Sequence, residues 1–248
     1  MSNPPIDPKV WESFVASRRT TRDFLPDQIS PELIDQLLTD AMTAPSWSNT
    51  RPYLVAVATG EVRDRISSEL LARWAKAGEA LKAGFWGKLK LLITRYGLPQ
   101  SDYKVNRKYP KELQPRSARV GAELYGLLGI DRSDHDARQA QWAKNYEFFG
   151  APVSFFIFTH SGLGEYSVSD AGLFMQNLML SAHAHGLGSC AQGATALWAD
   201  PIRREFMVPD EYKLLCGIAL GYPSDHKVNS FRADRLPIEQ IKLKPRND

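Results

Sequence analysis

The chain has 248 residues, with 31 Lys and Arg against 28 Asp and Glu, a formal net charge of +3. A hydrophobic share of 43% and a charged share of 24% are ordinary for a globular protein and exclude a disordered chain. Two cysteines, Cys190 and Cys216, cannot form a disulfide framework, so a reducing, cytoplasmic setting is expected. The longest apolar stretches, 153–159 and 214–220, are too short to span a bilayer. The first residues have neither the basic nor the apolar region of a secretory signal.

In chain order, a first helix is predicted at Pro8–Ser17, with Asp7 as N-cap and Pro8 at N1. A second starts with Ser30 as cap and Pro31 at N1, and Ile29 with Ile34 forms a staple. Its stripe of Ile34, Leu37, Leu38, Ala41 and Met42 suits a core-facing helix, and Pro45 stops it. After a polar loop comes a strand, Tyr53–Thr59. Glu61–Ala77 reads as a helix ended by Gly78. The stretch from Lys82 to Arg119 carries ten basic residues against Asp102 and Glu112, a local charge of +8. A short helix follows at 120–128, ended by Gly129, and 134–149 reads as helical. Val153–Phe158 is a strand covered on both faces. Asp170–His185 is apolar almost all round and reads as a buried central helix ended by Gly186. Asp200 and Pro201 start a short helix, and Leu214–Tyr222 is a second buried strand. The tail from Pro237 has apolar Ile238, Ile241 and Leu243 but no local core. The order implies an α+β or α/β layered domain.

The chain lacks the P-loop, the dinucleotide-binding G-x-G-x-x-G and the G-x-S-x-G elbow. Its five histidines show no metal-ligand spacing, and no metal is expected. Four segments carry candidate chemistry. Arg18, Arg19, Thr20, Thr21 and Arg22 suit a phosphate, since guanidiniums give bidentate donors and threonine gives an uncharged one. Basic residues at a helix C-terminus also serve the macrodipole while staying solvated. The loop from Pro45 to Tyr53 offers amides, hydroxyls and a carboxamide to a planar ring, or is a plain turn. The small residues from Gly186 to Ala194 form a loop that lets backbone approach a flat ligand. Cys190 there has no basic neighbour in sequence and reads as core, as does Cys216. Arg232 and Arg235 lie in the exit loop after the last strand.

Together, S-R-R-T-T-R-D-F, A-P-S-W-S-N-T-R-P-Y, D-A-G-L-F-M-Q-N-L-M-L-S-A-H-A-H-G-L-G-S-C and C-G-I-A-L-G-Y-P with a following R-L-P-I-E resemble the FMN-dependent nitroreductase family, over roughly residues 8–60 and 145–240. The resemblance implies a nitroreductase-like α+β fold. Its central sheet is mixed but mostly antiparallel and flanked by helices, and two chains intertwine as a homodimer. The chain is then one FMN-binding domain, residues 1–248, with a helical insertion at about 61–149.

By the same resemblance, Arg18, Arg19, Thr20 and Arg22 bind the FMN phosphate and ribityl chain, joined by Arg235 and the looser match Arg232. Pro45, Ser46, Trp47 and Asn49 reach the flavin of the partner subunit, with Arg51 and Tyr53 standing where the family has Gln and Trp. Ala191, Gln192 and Gly193 place backbone amides near flavin N5, and Lys144 or Asn145 is a further contact. The implied activity is ping-pong hydride transfer from NADPH or NADH, through bound FMN, to a small aromatic acceptor such as a nitroaromatic or a quinone. No side chain acts as nucleophile, because the chemistry is on the flavin. A reductive dehalogenase or flavin-destroying enzyme of the same fold, and a non-catalytic flavin-binding protein, are the alternatives. The basic stretch is expected to steer anionic aromatics or nucleotide phosphates. No nucleic-acid motif accompanies it, so nucleic acid and membrane are not expected partners.

Overall fold

The apolar run at 153–158 is the centre of the molecule. The structure, a computed structural model, describes residues 6–104 and 108–246. Arg107 of the basic stretch and the last two residues of the tail lie outside the described residues. The elements are α1 (Pro8–Ser17), α2 (Pro31–Ala41), β1 (Tyr53–Thr59), α3 (Gly60–Lys82), α4 (Gly84–Thr94), α5 (Gln114–Leu128), α6 (His135–Ala143), β2 (Val153–His160), α7 (Glu165–Ala184), β3 (Gly188–Gln192), α8 (Asp200–Glu205) and β4 (Tyr212–Gly221).

The four strands form one sheet in the order β1-β2-β4-β3. All three pairings are antiparallel. The parallel component at this sheet is a single bridge, Thr20 to Ser189. Side chains of β2 alternate between two cores, as the period of a strand requires. Phe156 and Phe158 pack with Ile66 and Leu70 of α3, and with Tyr146, Trp198 and Ile202. Phe155 and Ile157 pack with Leu37 of α2 and with Phe174 and Leu178 of α7. A bulge at Ile157/Phe158 skips Leu215 in the pairing with β4. The skipped residue reverses the alternation, so Leu214 and Ala219 share one core while Cys216 and Ile218 join the other.

The predicted caps are in place. The Asp7 carboxylate accepts from Lys9 N, and Ser30 Oγ accepts from Leu33 N at 3.2 Å. Ile29 and Ile34 are both buried, as the staple requires. Gly129 ends α5 with φ +74°.

Four expectations are corrected. Gly78 does not end its helix, and α3 runs on to Lys82. A Cβ at Gly78 would stand 3.3 Å from the Gln139 side chain, so this glycine admits α6 rather than stopping α3. The small-residue stretch after α7 is not a loop, because Gly188–Gln192 is edge strand β3. The helix α7 starts five residues early and is buried on one face alone: Ala171, Phe174, Leu178 and Ala182 face the core while Leu173 is exposed. Finally, two helices of the inserted segment differ in extent: α5 starts at Gln114 rather than at 120, and the stretch read as helical at 134–149 is α-helix only over His135–Ala143.

Both ends of the 61–149 segment are built into the core, through Ile66 and Leu70 and through Tyr146, Phe148 and Phe149. Its middle is tied down by polar contacts. Arg73 is buried and pairs in bidentate fashion with Asp200 at 2.5 and 2.6 Å, and with Glu69 at 2.9 Å. Trp198 Nε1 donates to Leu98 O, and Gln100 N donates to Leu197 O. The Asp102 carboxylate accepts from Leu214 N and Arg203. Among the described residues no helix is long and apolar enough to cross a membrane.

Candidate functional site

One group of candidate residues gathers at the C-terminal end of α7. After Arg18 caps α1 in extended conformation, the chain runs alongside β3, where Thr20 bridges Ser189 and Thr21 N donates to Ser189 O at 3.0 Å. This approach requires glycine at 188, since a Cβ there would lie 2.4 Å from Thr21 Oγ1. Asn229 then buckles this segment to the exit loop of β4. Its Oδ1 accepts from Arg22 N at 2.8 Å, and its Nδ2 donates to Asp23 O and Ser224 O.

Four guanidiniums are thereby brought close. Burial, and next the neighbouring Arg235, hold Arg18 below its ordinary pKa. Burial and then Arg232 do the same to Arg19. Among the described residues none of Arg18, Arg19, Arg232 and Arg235 makes an ion pair; the carboxylate of Asp234 in the same loop pairs with Arg119 instead. His183, at the end of α7, sits 2.7 Å from Ser17 Oγ. Burial, then Arg18 and Arg19, hold its pKa below the ordinary value. A set of like charges without a counter-ion is costly unless an anion joins it.

Next to this cluster a cleft of about 550 Å³ opens at the end of β3, lined by Arg22, Ala191, Gln192 and Gly193. Val120, Gly121 and Leu124 of α5 and Trp142 of α6 form its other wall. Gln192 is buried. Its Nε2 donates to Asn145 O at 2.8 Å, while its Oε1 has no partner. Above Gly193 the space is open, with no atom within 4 Å of a built Cβ. Of Lys144 and Asn145, it is Asn145 that lines the cleft. Burial pushes the Cys190 thiol up to about 11 and the Cys216 thiol to about 12. Neither is a thiolate near neutral pH, in line with their assignment to the core. Among the described residues no group of three His, Cys, Asp or Glu is placed to hold a metal.

The loop residues Pro45, Ser46, Trp47 and Asn49 are elsewhere. Trp47 N donates to Asp170 Oδ2 at 3.0 Å, and its ring meets Tyr166 edge-on at 3.8 Å. Both partners belong to the first turns of α7. Ser46 Oγ accepts from Arg51 N, and Arg51 Nη1 donates to Asn49 Oδ1. Ser48, Asn49 and Arg51 all have positive φ, a strained conformation for side-chain-bearing residues. From Asp170 to His183 along α7 is roughly 20 Å at 1.5 Å per residue. A single chain therefore keeps this loop apart from the arginines. Tyr53 lies in the core against Phe174, its hydroxyl unpartnered and its pKa raised by burial.

Sequence motifs led to the arginines and to Gln192 and Gly193. They did not lead to Asn229, Asp170 or the wall made by α5 and Trp142. Asn229 opened a segment already singled out. Asp170 stood at the head of a matched motif. The wall residues had no signal beyond apolar spacing.

A model of the nitroreductase family matches residues 15–222. The chain is 35% identical to a 4-nitrobenzoate reductase of Pseudomonas putida, covering 91% of each chain. It is 33% identical to the nitroreductase NfnB of Mycolicibacterium smegmatis, covering 96% of this chain and 94% of that one. Among solved structures it is similar to the FMN-dependent nitroreductase NfnB from Mycobacterium smegmatis in complex with NADPH, with TM-score 0.81 and 30% identity over 96% of this chain and 99% of that one. The FMN and NADPH-dependent nitroreductase NfnB from sphigopyxis sp. strain HMH gives 0.80 and 27% over 95% and 99%.

Proposed function

This chain belongs to the nitroreductase family, and we propose that it is an FMN-dependent oxidoreductase that uses NAD(P)H to reduce nitroaromatic compounds or quinones. The observation that carries this reading is the arginine cluster beside the cleft. Among the described residues four guanidiniums make no ion pair, and the cleft that Arg22 lines holds a buried amide oxygen, Gln192 Oε1, that has no donor. An anionic phosphate with a polar planar ring attached satisfies both.

In this reading Arg18, Arg19, Arg232 and Arg235 hold the phosphate, and Thr20 and Arg22 orient the chain that follows it. Ala191, Gln192 and Gly193 present β3 backbone to the ring, and the open space above Gly193 admits it closely. FMN held by these residues would supply the two-electron chemistry that links NAD(P)H to the acceptor. Val120, Leu124 and Trp142 exclude water from the face where donor and acceptor alternate. The residues of the 61–149 segment thus select the acceptor, and its exposed lysines and arginines attract anionic aromatics or nucleotide phosphates.

The active unit is a homodimer. Its support is the loop of Ser46, Trp47 and Asn49, held at the wrong end of α7 for its own cleft. Further support comes from uncovered apolar residues on α1 (Val10, Trp11), α7 (Leu173) and the tail (Ile238, Ile241, Leu243). A second copy brings the loop to the cleft and covers these faces. The two free, buried cysteines fit a cytoplasmic setting.

The test is the visible spectrum of the purified protein, before and after anaerobic NADPH and then with 4-nitrobenzoate. The expected sequence is a yellow protein that bleaches and recovers its colour on adding the acceptor. A colourless protein that takes up no FMN overturns the reading, and a yellow one that never bleaches favours a flavin-binding protein without turnover.

A further inference from the structure

Trp142 and Tyr125 line the cleft described above and also a second cavity, of about 460 Å³, within the helical segment. Trp74 and Lys82 of α3 and His135, Asp136 and Arg138 of α6 complete the second wall. Trp74 and Trp142 lie nearly parallel, 26° apart with centroids at 6.2 Å. The Arg138 guanidinium stands 4.1 Å from the Tyr125 ring centroid and makes no ion pair among the described residues. Lys82 Nζ is 2.8 Å from Asp136 Oδ1, with both side chains mostly exposed. Such a solvated pair re-forms around a phosphate at little cost.

Resting on the oxidoreductase reading, we propose that this outer cavity binds the adenosine diphosphate half of the hydride donor. The inner cleft must hold a planar cofactor ring together with the nicotinamide, and pockets of a few hundred Å³ take one drug-sized group each. A dinucleotide therefore has to leave the cleft, and the wall shared through Trp142 and Tyr125 makes the outer cavity its neighbour. The chemistry there matches the other half of the molecule. The tryptophan faces accept a purine. Arg138 and Lys82 offer charge-assisted donors to phosphates. Asp136, released by Lys82, is an acceptor for ribose hydroxyls. No dinucleotide-binding motif is needed, because the two halves are held by separate walls.

The variants Arg138→Glu and Lys82→Glu test this in the flavin-loaded protein. By titration calorimetry, adenosine 5′-diphosphate is expected to bind once per chain, with Kd rising at least about tenfold in either variant. In kinetics, kcat/KM for NADPH is compared with kcat/KM for 1-benzyl-1,4-dihydronicotinamide, which lacks the adenosine half. The ratio of the two is expected to fall at least about tenfold. A preference of adenosine 2′,5′-bisphosphate over adenosine 5′-diphosphate marks NADPH as the donor, and equal binding marks a site for NADH as well. No binding of either nucleotide overturns the proposal, as does an equal loss for both donors, which shows an effect through the cleft or the fold. A protein that binds the nucleotide through Arg138 and Lys82 but oxidises neither donor supports the pocket while defeating the oxidoreductase reading.

Discussion

Strand β2 and helix α4 are both short apolar runs, and the fold treats them in opposite ways. Of the eight residues of β2, seven are buried. Of the eleven of α4, none is, and Phe85, Trp86, Leu92 and Ile93 stand open. The difference is in what covers them. Helices α3 and α8 close one face of β2, and α2 and α7 close the other. Helix α4 has α3 beside it and little else. Hydrophobic composition drives burial where the chain provides two partner layers. In the middle of the segment between β1 and β2, position is set instead by polar hooks such as Arg73, Asp102 and the Trp198–Leu98 bond.

The sharpest way to break this contrast is mutation. Phe156→Ala removes a fully buried ring that faces α3, and a loss of about 3–5 kcal/mol is expected in chemical denaturation. A loss under about 1 kcal/mol would mean that β2 is not the centre of the stability. Arg73→Ala tests the polar hooks. A buried ion pair broken from one side costs about 3–5 kcal/mol. Here Asp200 and Glu69 keep partial access to water, so about 1–2 kcal/mol is expected, together with faster proteolysis between residues 82 and 113. Loss of stability without local cleavage would place Arg73 in the core rather than in the tether.

The pH dependence of His183 probes the border between the core and the arginine cluster. Its folded pKa is lowered from 6.5 by burial and then by Arg18 and Arg19. The unfolded ring therefore takes a proton first. Stability from this group is complete above about pH 6.5 and is lost as pH falls through the folded pKa. A phosphate among the arginines offsets their charge, so FMN should raise the pKa of His183 in an NMR titration. An unchanged value would place the phosphate elsewhere. The smallest effect belongs to Trp86→Ala, expected within about 0.5 kcal/mol for an exposed position. A loss above 1 kcal/mol would show that the open face of α4 is covered in solution.

The same contrast decides what could be read in the sequence. Elements with local signals were legible. Ser30, Pro31 and the Ile29–Ile34 pair located α2, and β1 has the predicted bounds, Tyr53–Thr59. Strand β3 was not, because Gly-Ser-Cys-Ala-Gln has little strand propensity and its partners, from Gly217 to Gly221, are remote in sequence. Gly78 misled because its role depends on Gln139 of another helix. Within α7, apolar residues on both faces gave no clue that one core covers half of them and leaves Leu173 open. The arginines that gather near the end of α7 were legible as a motif, because a run of guanidiniums and hydroxyls is a pattern of residue type that needs no knowledge of the fold. Asn229 and Asp170 act through backbone groups that only the folded chain brings to them.

The separation of the Trp47 loop from the arginines along α7 has a genetic consequence. Where the site is assembled from two copies, as proposed above, damage to either half is confined to the chain that carries it. An Arg18→Glu chain and a Trp47→Asp chain are each expected to be inactive alone. Unfolded and refolded together, they should regain activity, because one of the two sites of the mixed dimer then pairs the intact loop of one chain with the intact arginines of the other. Absence of any recovery in mixed dimers shown to form would mean that each chain completes its own cleft.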